Sequence, residues 1–428
     1  MKYTPIDNSL FILNRSKLVA KLVPNSIAVF HSNDIYPTNA DGTLPFRQNN
    51  DLFYFSGIDQ EDTILLLFPN ALDPKYREML FILETNEHLA IWEGHKFTKS
   101  EARTLSGIET IFWFHEFDDI LKQLMYDATT IYCNQNEHGR AKKIIDTRND
   151  RFIKQCQKEY PLHQYMRLAP ITNELRSQKE PQEIEAIQKA CNITKNAFER
   201  ILKTIKPGIK EYEIEADIIY EFIRNGSRGH AYQPIIASGK NACVLHYIQN
   251  DNICKDGELI LMDFAAEYGN YASDMTRVVP VNGKFNPRQK EVYTSVLTIF
   301  KAVKKLIKPG ITLQELNKAT GEFTTTQLIS LGLLSKEEVA LPNGNLAYRK
   351  YFMHGFGHHL GLDVHDVHIK NAPLKEGMIV TLEPGIYIPN EAIGIRLEND
   401  ILVVKDGNVD LMAHIPLELE DIESVMLS

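Results

Sequence analysis

No apolar run in this chain reaches the roughly 18–20 residues that a bilayer-spanning helix needs, so an integral membrane protein is not expected. The first residues, Met1 to Asn8, are polar and lack the charged-then-apolar order of a secretion signal, and the expected location is cytoplasmic. Cysteine is scarce: Cys133, Cys156, Cys191, Cys243 and Cys254 are odd in number and none forms a CxxC pair. That excludes a disulfide framework and a zinc knuckle and leaves free thiols in a reducing compartment. No GxGxxG or GxxxxGK[ST] occurs, so no phosphate loop is expected. Nor is there a basic excess. The net charge is -9 with the basic residues scattered, which argues against nucleic acid and anionic membrane as partners.

What is present is the composition of a soluble globular chain, 43% hydrophobic and 24% charged. Its 428 residues exceed one ordinary core, so two domains are expected. The stretch Leu168–Pro181, with two prolines and few core residues, marks the break and divides the chain into 1–175 and 176–428. The first part reads as mixed α/β, with short strands near Ile27–Phe30, Ile64–Phe68 and Met79–Leu83 and a helix over Phe117–Met125. The aromatic stretch Phe46–Gly57 reads as a buried strand and turn. The second part opens on a helix whose apolar residues Ile184, Ile187, Cys191, Phe198, Ile201 and Ile205 share one face, with Pro181 in its first turn.

The second part repeats itself. Ile205-Lys-Pro-Gly-Ile209 returns as Ile307-Lys-Pro-Gly-Ile311, each between helix patterns. Lys255-Asp-Gly-Glu-Leu-Ile-Leu-Met-Asp263 returns as Lys375-Glu-Gly-Met-Ile-Val-Thr-Leu-Glu383. Two matches in the same order imply two related halves, each with helices followed by an antiparallel sheet.

Both repeated strands end on a carboxylate, a costly place for an unpaired charge. Asp263 is followed by a turn and then Asp274; Glu383 is followed by Glu398. Four carboxylates gathered by two hairpins repel one another, and cations are the remedy. Five of the 14 histidines lie between His354 and His368, among glycines, and one of them is a candidate fifth ligand; spacing does not say which. An oxygen-rich set with one histidine favours Mn²⁺ or a similar hard ion.

At these residues the chain resembles aminopeptidase P, the Xaa-Pro aminopeptidases of the pita-bread metallopeptidase superfamily. The resemblance covers essentially the whole chain and is strongest over 230–403, where HGFGHHLGLDVHD, TLEPGIYI and RLENDI carry it. It implies an α+β protein: a creatinase-type α/β N-terminal domain followed by a pita-bread catalytic domain of two related halves. It implies two divalent ions per chain on Asp263, Asp274, His358, Glu383 and Glu398, with Asp274 and Glu398 shared between them. It places catalytic histidines at His246, His354 and His365, and puts Arg396 and Tyr387 at the substrate pocket. The implied substrates are peptides beginning Xaa-Pro, and the implied assembly is a homodimer or homotetramer, with Trp92 in a segment able to reach a neighbouring site. His359 departs from the pattern at a position that is often aromatic. The same ligands would serve a prolidase restricted to dipeptides. Creatinase-like hydrolases and non-catalytic binding proteins of this fold, by contrast, lack the full set, which is intact here.

Overall fold

The computed structural model describes residues 2–142 and 144–428. Contacts divide it into two compact units, Pro5–Arg176 and Ser177–Ser428, the latter joined by residues 2–4.

The first unit is built on six strands: β1 (Ser26–His31), β2 (Ile64–Leu67), β3 (Glu78–Ile82), β4 (Thr110–Trp113), β5 (Thr130–Cys133) and β6 (Gln164–Arg167). Their order is β4-β3-β2-β1-β5-β6, antiparallel at β1–β2 and β2–β3 and parallel elsewhere. Ile27, Val29, Leu66 and Phe81 bury one sheet face against Phe117 and Leu121 of the helix Phe117–Leu124. Two local expectations are corrected here. The stretch read as strand and turn contains a helix, Asn50–Ser56. The Asn49 side chain caps it by accepting from the N–H groups of Asp51 and Leu52, and Gly57 closes it in the left-handed conformation at φ 69°. All of Leu52, Phe53, Tyr54, Phe55 and Ser56 are buried, so no helical period is visible in the sequence. The break segment, in turn, holds the helix Ala169–Ser177, with Pro170 tolerated near its start and Arg176 buried on Asp51 at 2.8 Å.

In the second unit the repeat holds down to single hydrogen bonds. The Gly208 N–H donates to the Cys254 carbonyl at 2.8 Å, and the Cys254 N–H to the Ile209 carbonyl at 2.8 Å. In the other half Gly310 donates to Leu374 at 2.9 Å and Leu374 to Ile311 at 2.8 Å. Both glycines sit at positive φ, 96° and 94°, which is why each Lys-Pro-Gly turn requires one.

Each half then makes a hairpin that splits. β8 (Leu259–Asp263) pairs with β11 (Thr276–Pro280), and between them a short inner hairpin forms from β9 (Glu267–Tyr268) and β10 (Tyr271–Ala272). Likewise β12 (Ile379–Leu382) pairs with β15 (Asn399–Val404), and β13 (Gly385–Ile388) with β14 (Ile393–Arg396) between them. A third strand completes each sheet: β7 (Ile235–Ser238) on β8, and β16 (Gly407–Asp410) on β15. Arg277 fastens the two hairpins together. Fully buried, it donates to the Glu398 carbonyl and to Asn399 Oδ1, both at 2.7 Å.

Candidate metal centre

The splits are where the carboxylates stand. Asp263 is the last residue of β8, and Asp274 lies between β10 and β11. Glu383 lies between β12 and β13, and Glu398 between β14 and β15. Asp274, Glu383 and Glu398 stand where the ladder lapses, and Asp263 at the last rung of its ladder, paired with Thr276 and Ile235. The two halves face each other: the Glu398 N–H donates to the Thr276 carbonyl at 3.1 Å, and the Asp274 N–H to Asp400 Oδ2 at 3.1 Å.

The histidine segment runs as an extra antiparallel run along β12. His359 bridges Val380, the Thr381 N–H donates to the His358 carbonyl at 2.8 Å, and the Glu383 N–H donates to Phe356 at 2.8 Å. Gly357 makes this approach possible, since a Cβ there would lie 2.0 Å from the Thr381 carbonyl oxygen. Gly357→Ala is therefore expected to push His358 away from Glu383. It should cost at least about 2 kcal/mol of stability, read as a lowered melting midpoint, together with lost metal affinity.

His358 meets the carboxylates with a defined tautomer. Its Nδ1 lies 3.0 Å from the His359 carbonyl, which can only accept, so Nδ1 keeps its proton and Nε2 is the nitrogen that a metal would take in exchange for a proton. Nε2 is 3.4 Å from Asp274 Oδ2 and 3.8 Å from Glu383 Oε1. Asp274, His358 and Glu398 each offer a donor atom within 4.8 Å of the others. Burial, followed by repulsion from neighbouring carboxylates, holds Glu398 well above the usual range. Burial also raises Asp263, and raises Glu383 to about 7 although His358 and Arg396 oppose it. For His358 burial would lower the value, but Asp274 and Glu383 outweigh it and hold it at about 9. Carboxyl groups crowded together by burial, with an imidazole nitrogen turned toward them, hold protons that a divalent cation would replace, and so fit one.

Arg396, nearly fully buried, forks into this cluster. Nη2 donates to Asp263 Oδ2 at 2.6 Å, Nε to Thr276 Oγ1 at 3.0 Å and Nη1 to the Tyr387 hydroxyl at 2.9 Å. The other Asp263 oxygen accepts from the Tyr232 hydroxyl at 2.6 Å. The Tyr387 hydroxyl donates to His354 Nε2 at 2.8 Å, and His354 Nδ1 donates to the Gly355 carbonyl at 2.9 Å. Burial first, then Arg396, lowers His354 to about 3, so its imidazole is neutral. Arg396 and Tyr387, which the resemblance sets at the substrate pocket, are both buried and hydrogen-bond to Asp263 and His354. The His365 ring packs edge-on against His358, centroids 4.2 Å apart. His246 is exposed on the turn after β7.

Sequence reading missed Tyr232, Thr276 and Asp400. A lone Tyr or Thr gives no signal. Asp400 did give one: it is a carboxylate inside the apolar run of β15, the same oddity that marked Asp263. It is fully buried, and its Oδ2 also accepts from the Cys191 thiol at 3.4 Å. All five cysteines are free, and burial raises Cys243, which removes any case for a nucleophilic thiolate there. The departure at His359 also finds an explanation. Burial lowers it to about 3, and the neutral ring stacks on His368 at 4.6 Å and 16°, serving as an aromatic plate.

A buried carboxylate cluster set where two repeated hairpins split, with a histidine nitrogen turned into it, defines a metal-dependent hydrolase. The chain belongs to metallopeptidase family M24, whose model matches residues 185–405, and residues 11–132 match the aminopeptidase P N-terminal domain. It is 34% identical to the Xaa-Pro aminopeptidase of Escherichia coli, covering 99% of this chain and 98% of the relative. It is 30% identical to human Xaa-Pro aminopeptidase 3, covering 92% and 79%. A zinc-substituted E. coli aminopeptidase P solved with product superimposes with a TM-score of 0.88 at 32% identity, covering 99% of each chain. The α+β fold expected from the sequence is thereby confirmed, as is divalent-metal binding.

Proposed function

We propose that this chain releases the first residue from peptides whose second residue is proline. The carrying observation is the intact set of Asp263, Asp274, Glu383 and Glu398 at the hairpin splits and His358 from the segment along β12, in a chain similar to Xaa-Pro aminopeptidases over its whole length. These five residues would hold two divalent ions, for which the oxygen-rich donor set favours Mn²⁺. Such ions, when bound, supply Lewis acidity that polarises a carbonyl and acidifies a water. The remaining work falls to side chains. Arg396 and Tyr232 fix both oxygens of Asp263, and the His359 carbonyl fixes the His358 tautomer. To His365, packed on His358, and His246, on the exposed turn, we assign delivery of a proton to the departing proline nitrogen. That nitrogen carries no hydrogen in the substrate, so the site needs no acceptor for it.

The rival reading is a prolidase confined to dipeptides. A groove of about 660 Å³ beside His354, lined by Asn317, Lys318, Tyr348, Arg349 and Met353, leaves room for chain beyond the proline and supports the aminopeptidase. The test compares Xaa-Pro with Xaa-Pro-Yaa under Mn²⁺ supplementation. Release of the first residue from the tripeptide is the expected result. Cleavage of the dipeptide alone would make the chain a prolidase, and no cleavage of either would overturn both readings. The reading includes a homodimer or homotetramer, for which the exposed Ile91 and Trp92 of the helix Glu87–Glu93 are candidate contacts. It also includes a reducing cytoplasmic setting, in keeping with the free thiols. Among the described residues no helix is long and apolar enough to cross a membrane.

A further inference from the structure

Behind the histidine segment lies an ion pair that the chemistry above does not use. Lys179 Nζ and Asp366 Oδ2 are 2.9 Å apart, and each side chain is only 1% exposed. Burying two charges is costly, and an apolar pair of similar volume would be as stable or more so, so stability alone does not explain this one.

Its connections are more telling. Lys179 stands two residues before the helix Pro181–Ile201, and its N–H donates to the Gly377 carbonyl at 2.9 Å, in the turn that leads into β12. Asp366 follows His365 directly. The Asp366 N–H donates to the His359 carbonyl at 2.8 Å, closing residues 359–366 into a loop. That same carbonyl accepts from His358 Nδ1. Across the loop, the Gly361 carbonyl accepts from the Ala272 N–H at 2.8 Å, tying the loop to β10. A Cβ at Gly361 would lie 2.1 Å from Asp366 Oδ2 and 2.9 Å from Lys179 Cε, so the pair is seated against bare backbone. The loop is thus held at Asp366 by a cation from outside it, and His358 and His365 sit at its two ends with their rings in contact.

We propose that Lys179 is a positioning residue. Through Asp366 it sets the loop that aligns His365 against His358, without touching substrate or metal. The proposal rests on the aminopeptidase reading for its kinetic arm and is independent of it for its structural arm.

The test uses the full chain as wild type, Lys179→Met and the neutralised pair Lys179→Met/Asp366→Asn. The single variant leaves a buried uncompensated carboxylate and is expected to lose stability. The double variant removes that charge and is expected to recover a near-wild-type melting midpoint. With an Xaa-Pro-Yaa peptide, the double variant should show kcat lowered at least about 30-fold, with KM and bound Mn²⁺ per chain within about twofold of wild type. In metal-free protein, hydrogen exchange over residues 359–368 should rise at least about tenfold in the double variant, with the strands β8 and β12 unchanged. A double variant with wild-type kcat and wild-type exchange would overturn the proposal and leave the pair dispensable. If the double variant does not fold, Lys179→Arg decides by exchange and kcat: a retained charge with altered reach should perturb both, and wild-type values of both would overturn the proposal. Inactive wild type with faster exchange in the double variant would sink the aminopeptidase reading while upholding the strut.

Discussion

Glu398→Gln is expected to lower kcat/KM on an Xaa-Pro-Yaa peptide by at least about a thousandfold, while the metal-free protein becomes more heat-stable than metal-free wild type. The two effects share one cause. Glu398 is buried among Asp274, Glu383 and Asp263, and its carboxyl is held well above its usual range by that burial and by their charges. Without cations, an ionised Glu398 is a liability, and an isosteric neutral amide relieves it. With cations, the same charge is needed to hold them. Scanning calorimetry with and without Mn²⁺ separates the cases: wild type should gain stability on metal addition as mass action requires, and the variant should gain little. A variant that binds metal and retains activity would remove Glu398 from the proposed ligand set. The pH dependence of metal-free wild type follows the same logic. Glu383, raised to about 7, and His358, raised to about 9, both bind protons more tightly folded than unfolded. Their contribution is therefore complete at low pH and is lost as pH rises through about 7 and then about 9. Metal-free wild type should melt several degrees lower at pH 9 than at pH 5.5, and the slope should shrink when metal is bound.

Arg396→Lys should lower kcat at least about a hundredfold with little change in fold. Arginine serves three acceptors at once here: Asp263, Thr276 and the Tyr387 hydroxyl. An ammonium is a point charge and cannot reproduce the planar fork. The lysine could retain the charge beside Asp263 and lose the bond that orients Tyr387, and with it the donor to His354 Nε2. Stability should fall modestly, since the charge remains. Comparing the lysine variant with Arg396→Met tests the argument. If geometry matters, both lose activity alike and only the methionine variant loses substantial stability. Full activity in the lysine variant would show that charge alone suffices.

Much of this could be read along the chain, for a physical reason in each instance. The Lys-Pro-Gly turns were visible because a positive-φ glycine followed by a helix leaves a local residue signature. Asp263 and Glu383 stood out because a carboxylate closing an apolar strand is costly unless something answers its charge. The two-half architecture followed from those repeats. The helix Asn50–Ser56 was not legible, because a helix buried on every side has no period, and its caps, Asn49 and Gly57, are equally at home in a turn.

The sequence by itself thus determined the two halves, the candidate carboxylates and the histidine-rich segment, since each depends on residues near one another in the chain. Tertiary structure alone decided how they meet. It selected the tautomer of His358 through a carbonyl, and it brought Arg396 to Asp263 across the two hairpins. It also sealed Lys179 against Asp366, 187 residues away. Such pairings depend on the closing of distant segments against one another, and no local pattern encodes that closure.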